Sequence, residues 1–286
     1  MPRLQKLVLR MDAPVIQFGA FGSQSLREVI IHGVCDTLTL DVCWIFITQC
    51  PNLEVFQAHC YSYVPFTHHH AATLRHARLE YLHLDVVTAD PGPFFDKFEA
   101  PDLKFMSLHY YNLLADGEQE WQHLKSFLNR SKCQLKHLAI GVARMSEGDI
   151  VNCLHATPGL KSLSLDRYPF MTKAAIISLK LNSQNSVEDN LCPKLETLCF
   201  HFGLRCSARA LEDMVVSRCT NVTTTLRKVS LYGCHNAPYE ELLDAPGIVR
   251  CIEEGLQLVE GVYWDWNVAW KWFRIANHEK IDKFTL

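Results

Sequence analysis

The chain alternates apolar and polar positions in short bursts, and one burst keeps returning: a leucine followed by apolar side chains three and five residues later. It reads Leu4, Leu7, Leu9; Leu26, Val29, Ile31; Leu53, Phe56, Ala58; Leu79, Leu82, Leu84; and Leu103, Met106, Leu108. The second half continues with Leu135, Leu138, Ile140; Leu160, Leu163, Leu165; Leu195, Leu198, Phe200; and Leu226, Val229, Leu231. Period-two alternation predicts strands, because successive side chains of extended backbone leave on opposite faces. The nine leucines stand 22, 27, 26, 24, 32, 25, 35 and 31 residues apart. Any half-buried strand shows the alternation; its return at this interval is what marks a repeat.

Between the bursts, apolar residues fall at helical spacing, as in Leu124, Phe127 and Leu128. Short helices are expected over Asp41 to Gln49, His123 to Ser131, Asp149 to Ala156, Thr172 to Asn182 and Ser207 to Arg218. Proline precedes the leucine by two residues at Pro2, Pro51, Pro101, Pro158 and Pro193. Without an N–H and with φ fixed, each ends the preceding helix and turns the chain back into a strand. One strand and one helix per unit bury their apolar faces only by stacking on their neighbours. The expectation is an α/β leucine-rich-repeat solenoid, a horseshoe with parallel strands on the concave face and short helices on the convex face. About nine irregular units of 22–35 residues would fill residues 1–250, with an aromatic-rich C-terminal cap over 251–286. A doubly wound sheet or barrel would be expected to carry phosphate-binding or nucleophile motifs, and the sequence has no G-x-G-x-x-G, G-x-x-x-x-G-K-[ST] or G-x-S-x-G.

Composition narrows the function. A net charge of -3 gives no basic field for phosphate, so no nucleic acid partner is expected. The strongest apolar run, Val42 to Ile47, is far short of the roughly 20 residues that span a bilayer, so no membrane partner is expected either. Twelve cysteines raise the possibility of a disulfide scaffold, but such scaffolds are short and follow a signal peptide, whereas this chain opens Met1-Pro2-Arg3-Leu4-Gln5-Lys6. Reduced thiols in a cytoplasmic or nuclear protein are expected.

The phrases Cys50-Pro51-Asn52-Leu53-Glu54-Val55-Phe56, Phe127-Leu128-Asn129-Arg130-Ser131-Lys132-Cys133-Gln134-Leu135 and Thr157-Pro158-Gly159-Leu160-Lys161-Ser162-Leu163 resemble F-box leucine-rich-repeat proteins, particularly the large fungal families. The resemblance implies a non-catalytic module that binds a protein substrate on its concave face, as the receptor part of a cullin-RING (SCF) ubiquitin ligase. The F-box of that family docks onto a Skp-type adaptor. Here units begin at Leu4, so that partner is expected only if an F-box lies upstream; the alternative is a free-standing repeat scaffold with no ubiquitin connection. The asparagine ladder of regular repeats is also missing: only Cys234, in Leu231-Tyr232-Gly233-Cys234, fits its cysteine-containing variant.

Counting from each leucine, positions +2, +4 and +6 should share the face opposite the core. The +2 column runs Lys6, Glu28, Val55, Tyr81, Phe105, His137, Ser162, Thr197, Lys228, and the +6 column Arg10, His32, His59, Asp85, His109, Gly141, Asp166, His201, Tyr232. Four histidines in nine +6 positions suggest a polar recognition strip, and Tyr81 and Phe105 are larger than an exposed face requires. The candidate partner site is therefore Tyr81, His83, Asp85, Phe105 and His109, flanked by His32, His59 and His137.

No metal, cofactor or catalytic residue is expected. His68-His69-His70 follows Pro65 in a connection and reads as a solvated loop, and Cys60 beside His59 and Asp85 lacks an oxyanion device. In the tail, Trp266, Trp270 and Phe273 fall on one helical face, which reads as the cap that a repeat array needs at its open end.

Overall fold

The computed structural model describes residues 4–11, 24–33, 38–111, 121–143, 145–166, 171–182, 190–202, 204–220, 226–234 and 239–261. In chain order these form β1 Lys6–Met11, β2 Glu28–Gly33, α1 Leu40–Gln49, β3 Val55–Cys60, β4 Leu74–Arg75, β5 Tyr81–Val86, α2 Gly92–Asp96, β6 Phe98–Glu99 and β7 Phe105–Tyr110. There follow α3 His123–Ser131, β8 His137–Val142, α4 Glu147–His155, β9 Ser162–Leu165, β10 Met171–Thr172, α5 Lys173–Ser178, β11 Thr197–His201 and β12 Leu204–Arg205. The last are α6 Ala208–Cys219, β13 Lys228–Tyr232, α7 Tyr239–Leu243, α8 Pro246–Glu253 and β14 Gln257–Gly261.

Ten strands make one parallel sheet in the order β1-β2-β3-β5-β7-β8-β9-β11-β13-β14. The order follows the sequence with no reversal, so each connection advances the chain by one strand. The register reproduces the +2 column residue by residue: Lys6, Glu28, Val55, Tyr81, Phe105, His137, Ser162, Thr197 and Lys228 are successive partners. Gln257 extends that ladder by one strand. The structure is thus an α/β fold around a ten-stranded parallel sheet, with the short pairs β4–β6 and β10–β12 beside it.

Every leucine, +3 and +5 residue from Leu26 to Leu231 lies in one buried cluster with Phe46 and Ile47 of α1, Phe127 of α3, Ile150 and Leu154 of α4, Met214 of α6 and Ile248 of α8. Burying a side chain of this size contributes about 1.5–3 kcal/mol, which is why these positions stay apolar while their neighbours vary. The first unit is the exception: Leu4 is 58% exposed and Leu7 and Leu9 only pack against the cluster. Helix starts are fixed by Thr39, Ser146, Thr172 and Ser207, whose side chains each accept a backbone N–H of the first turn. Carboxylates tie one unit to the next: Asp41 accepts from Thr67, Glu147 from Thr172 and Ala175, and Glu212 from Gly247.

Among the described residues, the buried cation Arg218 of α6 takes no carboxylate. Its guanidinium donates to the carbonyls of Leu179, Cys192 and Leu191 at 2.7–2.9 Å and so closes the end of α5 against the loop before β11. Cys234 donates its thiol to the Phe200 carbonyl of the neighbouring strand at 3.7 Å.

Two features differ from the sequence expectations. The chain continues past residue 250 into α8 and β14, which completes the sheet, because Gly255 stands where other units have leucine and Glu260 occupies the +5 place. His68–His70 is a turn of 3-10 helix, with the His68 ring stacked on Trp44 at 6.4 Å, rather than an open loop. The eleven described cysteines are free thiols. The aromatic segment from Tyr263 onward and Cys35 lie outside the described residues.

Candidate functional site

The face of the sheet away from the helices is built by the +2, +4 and +6 residues. In the +2 column the rings of Tyr81 and Phe105 stack at 4.3 Å with planes 12° apart, and His137 continues the row 5.9 Å from Phe105. Strands about 4.8 Å apart in register place equivalent rings at stacking distance, so the parallel ladder itself produces the row.

The histidines form a second row. His32 stacks on His59 at 5.4 Å; His83, a +4 residue, lies 5.1 Å from His59 and 6.1 Å from His109. Two carboxylates orient them. His59 Nδ1 is 3.2 Å from Asp85 Oδ2 on the next strand. His109 Nδ1 faces Asp166 Oδ2 at 3.7 Å, and the Tyr111 hydroxyl donates to the same oxygen at 3.4 Å.

A recurring contact within single strands joins +4 to +6. Gln57 Nε2 meets His59 Nε2, Ser107 Oγ meets His109 Nε2, and Cys199 Sγ meets His201 Nε2, each at 3.0 Å. Side chains two apart share a face, so a polar group at +4 is placed to hold an imidazole at +6. The sequence reading set out the +6 column but missed these pairs; the signal was the x-His spacing seen only when +4 and +6 are read together.

Burial governs the electrostatics. It pushes the His83 imidazole well below its ordinary range, helped by the like-charge neighbours His59, His109 and His32. It lowers His201 to about 4 and also lowers His137. It raises the Tyr81 phenol and the Cys199 thiol. His83 Nε2 and Asp85 Oδ1 are buried with no hydrogen-bond partner among the described residues.

All eight sequence candidates share this face, but their surroundings differ from the expected exposed strip. Tyr81 is 1%, His83 5%, Phe105 6% and His109 1% exposed. His32, His59, Asp85 and His137 are half-buried and form the accessible margin. Exposure depends on what lies over a sheet, which no periodicity in the strands encodes.

Ser107, His109 and Asp166 form a hydroxyl–imidazole–carboxylate line, and Cys199 with His201 a thiol–imidazole pair. The low His201 and high Cys199 values keep that pair neutral, the opposite of an activated thiolate. Ser107 is 1% exposed, and its strand is paired on both sides in the parallel ladder. Cys60 points to the helix side, its sulfur 3.5 Å from that of Cys43, and so on the opposite face from His59. Among the described residues no three His, Cys, Asp or Glu side chains are disposed to hold a metal ion, and no helix is long and apolar enough to cross a membrane.

No protein-family model matches the sequence, and no curated protein matches it.

Proposed function

We propose that the protein is a leucine-rich-repeat solenoid acting as a protein-recognition module, the substrate-binding part of an F-box-type subunit of a cullin-RING ubiquitin ligase. The observation that carries the reading is a parallel sheet whose strands follow the sequence in register, with helices on one side and an aromatic–histidine face on the other. A sequence-ordered sheet of this kind lacks the strand reversal at which doubly wound folds bind cofactors, and it presents a broad surface suited to a polypeptide. The partner would contact the margin formed by His32, His59, Asp85 and His137. The chain supplies no bond chemistry in this role; it raises the concentration of its substrate at the site of ubiquitin transfer.

The test is isolation of the native gene product from its own cells under mild conditions. Retention of a Skp-type adaptor and a cullin, with a bound protein lost from a His59→Ser, Asp85→Ser variant, supports the reading. Absence of adaptor and cullin leaves a free-standing scaffold; a bound protein indifferent to those substitutions moves recognition elsewhere.

A further inference from the structure

The residues one place after each leucine form a column along the edge where the strands begin. From Gln5 through Lys104, Lys136 and Lys161 to Arg227, the N–H of each donates to the carbonyl of the one before it at 2.7–2.9 Å. Neighbours in such a ladder stand about 4.8 Å apart, so their charges meet. Arg27 pairs with Glu54, Lys104 with Glu80 at 2.7 Å and Lys161 with Glu196 at 2.6 Å. The pairing breaks at β8. Lys136 stands between Lys104 and Lys161, whose glutamates lie on the strands farther from it, β5 and β11. Among the described residues this half-buried lysine pairs with no carboxylate. Three like charges on consecutive strands repel, and only the middle one lacks a counter-charge.

The same place is hollow. A groove of about 520 Å³ crosses the turns that lead into β8, β9 and β11, with Lys136 and Lys194 on its walls and Cys133, Leu135, Pro158 and Pro193 between them. Gly159 precedes the leucine of β9, and a Cβ there would stand 3.6 Å from Lys136 Nζ, so the ammonium lies beside a position without a side chain. We propose that this groove binds an acidic peptide segment of a partner protein, one carboxylate seating on Lys136 and a second on Lys194. The column argues for carboxylates: each of its three paired cations takes a glutamate, and an incoming one at Lys136 would complete the series. A phosphate chain fits less well, because a net charge of -3 gives no field to gather one. Exposed ion pairs alone contribute little, and Leu135, Pro158 and Pro193 add an apolar wall for the peptide backbone. The groove lies on the edge where the strands begin rather than on the aromatic–histidine face, so it does not depend on the ligase reading.

The experiment titrates the full chain, labelled with nitrogen-15, with acetyl-hexaglutamate amide at low ionic strength. Amide shifts at Gln134, Lys136, Gly159 and Lys194 are expected. The dissociation constant should rise about fivefold in Lys136→Gln, the loss of one exposed ion pair, and stay unchanged in Lys173→Gln on α5. The amide spectrum of each variant away from the groove reports that it is folded. Absence of shifts at these four amides, or an equal constant in folded Lys136→Gln, overturns the proposal. A single-stranded oligonucleotide of equal charge that shifts the same amides at lower concentration also overturns it, since that result gives the groove to nucleic acid.

Discussion

His109 of β7 and Asp166, the residue after β9, face each other at 3.7 Å although a whole strand, β8, lies between β7 and β9. Gly141 lies beneath the contact. A Cβ there would stand 2.5 Å from His109 Nδ1 and 2.9 Å from Asp166 Cβ, so the absence of a side chain is what lets the pair meet.

Gly141→Ala should therefore cost about 1–3 kcal/mol, the usual penalty for overfilling a packed site. A lowered urea midpoint checks it, and adding His109→Ser should restore part of the loss. An unchanged midpoint would mean that the imidazole moves aside freely.

Protonation of His201 opposes folding. Burial holds its folded value near 4, with Asp166 pulling it up and His109 pushing it down. The unfolded imidazole takes its proton near 6.5, so the unfolded state binds more protons between these values. Stability is intact above 6.5 and falls as pH drops toward 4, by up to about 3 kcal/mol from this residue. Denaturation midpoints measured across that window should fall less steeply for His201→Asn.

Arg218→Met should lower stability by about 3–5 kcal/mol, because three buried carbonyls lose their donor at once. Arg218→Lys should fail to restore it, as one ammonium group cannot reach acceptors spread around a planar guanidinium. Equal stability of the lysine variant in urea would contradict that geometry.

Thiol reactivity should be slow in the native state and complete on unfolding. Burial pushes Cys153 and Cys192 up to about 12 and Cys133 to about 11, leaving little thiolate at neutral pH. Titration with an aromatic disulfide should find twelve thiols after denaturation. Six disulfides found instead would overturn the reduced reading.

The sheet was legible because an in-register parallel ladder writes itself as a column: Tyr81 beside Phe105 beside His137 follows from counting two residues past each leucine. β14 escaped because the same count needs a leucine where Gly255 sits with φ 109°. The His109–Asp166 pair escaped because its sign was a gap: Gly141 between two polar +6 residues reads as a missing recognition residue until the flanking side chains are seen to fill its space.

The order of the strands has a mechanical consequence. Each sheet strand hydrogen-bonds only to the one before and the one after, so tension applied at the two ends meets no clasp between distant strands. Force should peel the sheet one strand at a time, beginning at β1, whose Leu7 and Leu9 are least enclosed, and the extension record should step at intervals set by the 22–35 residues of each unit.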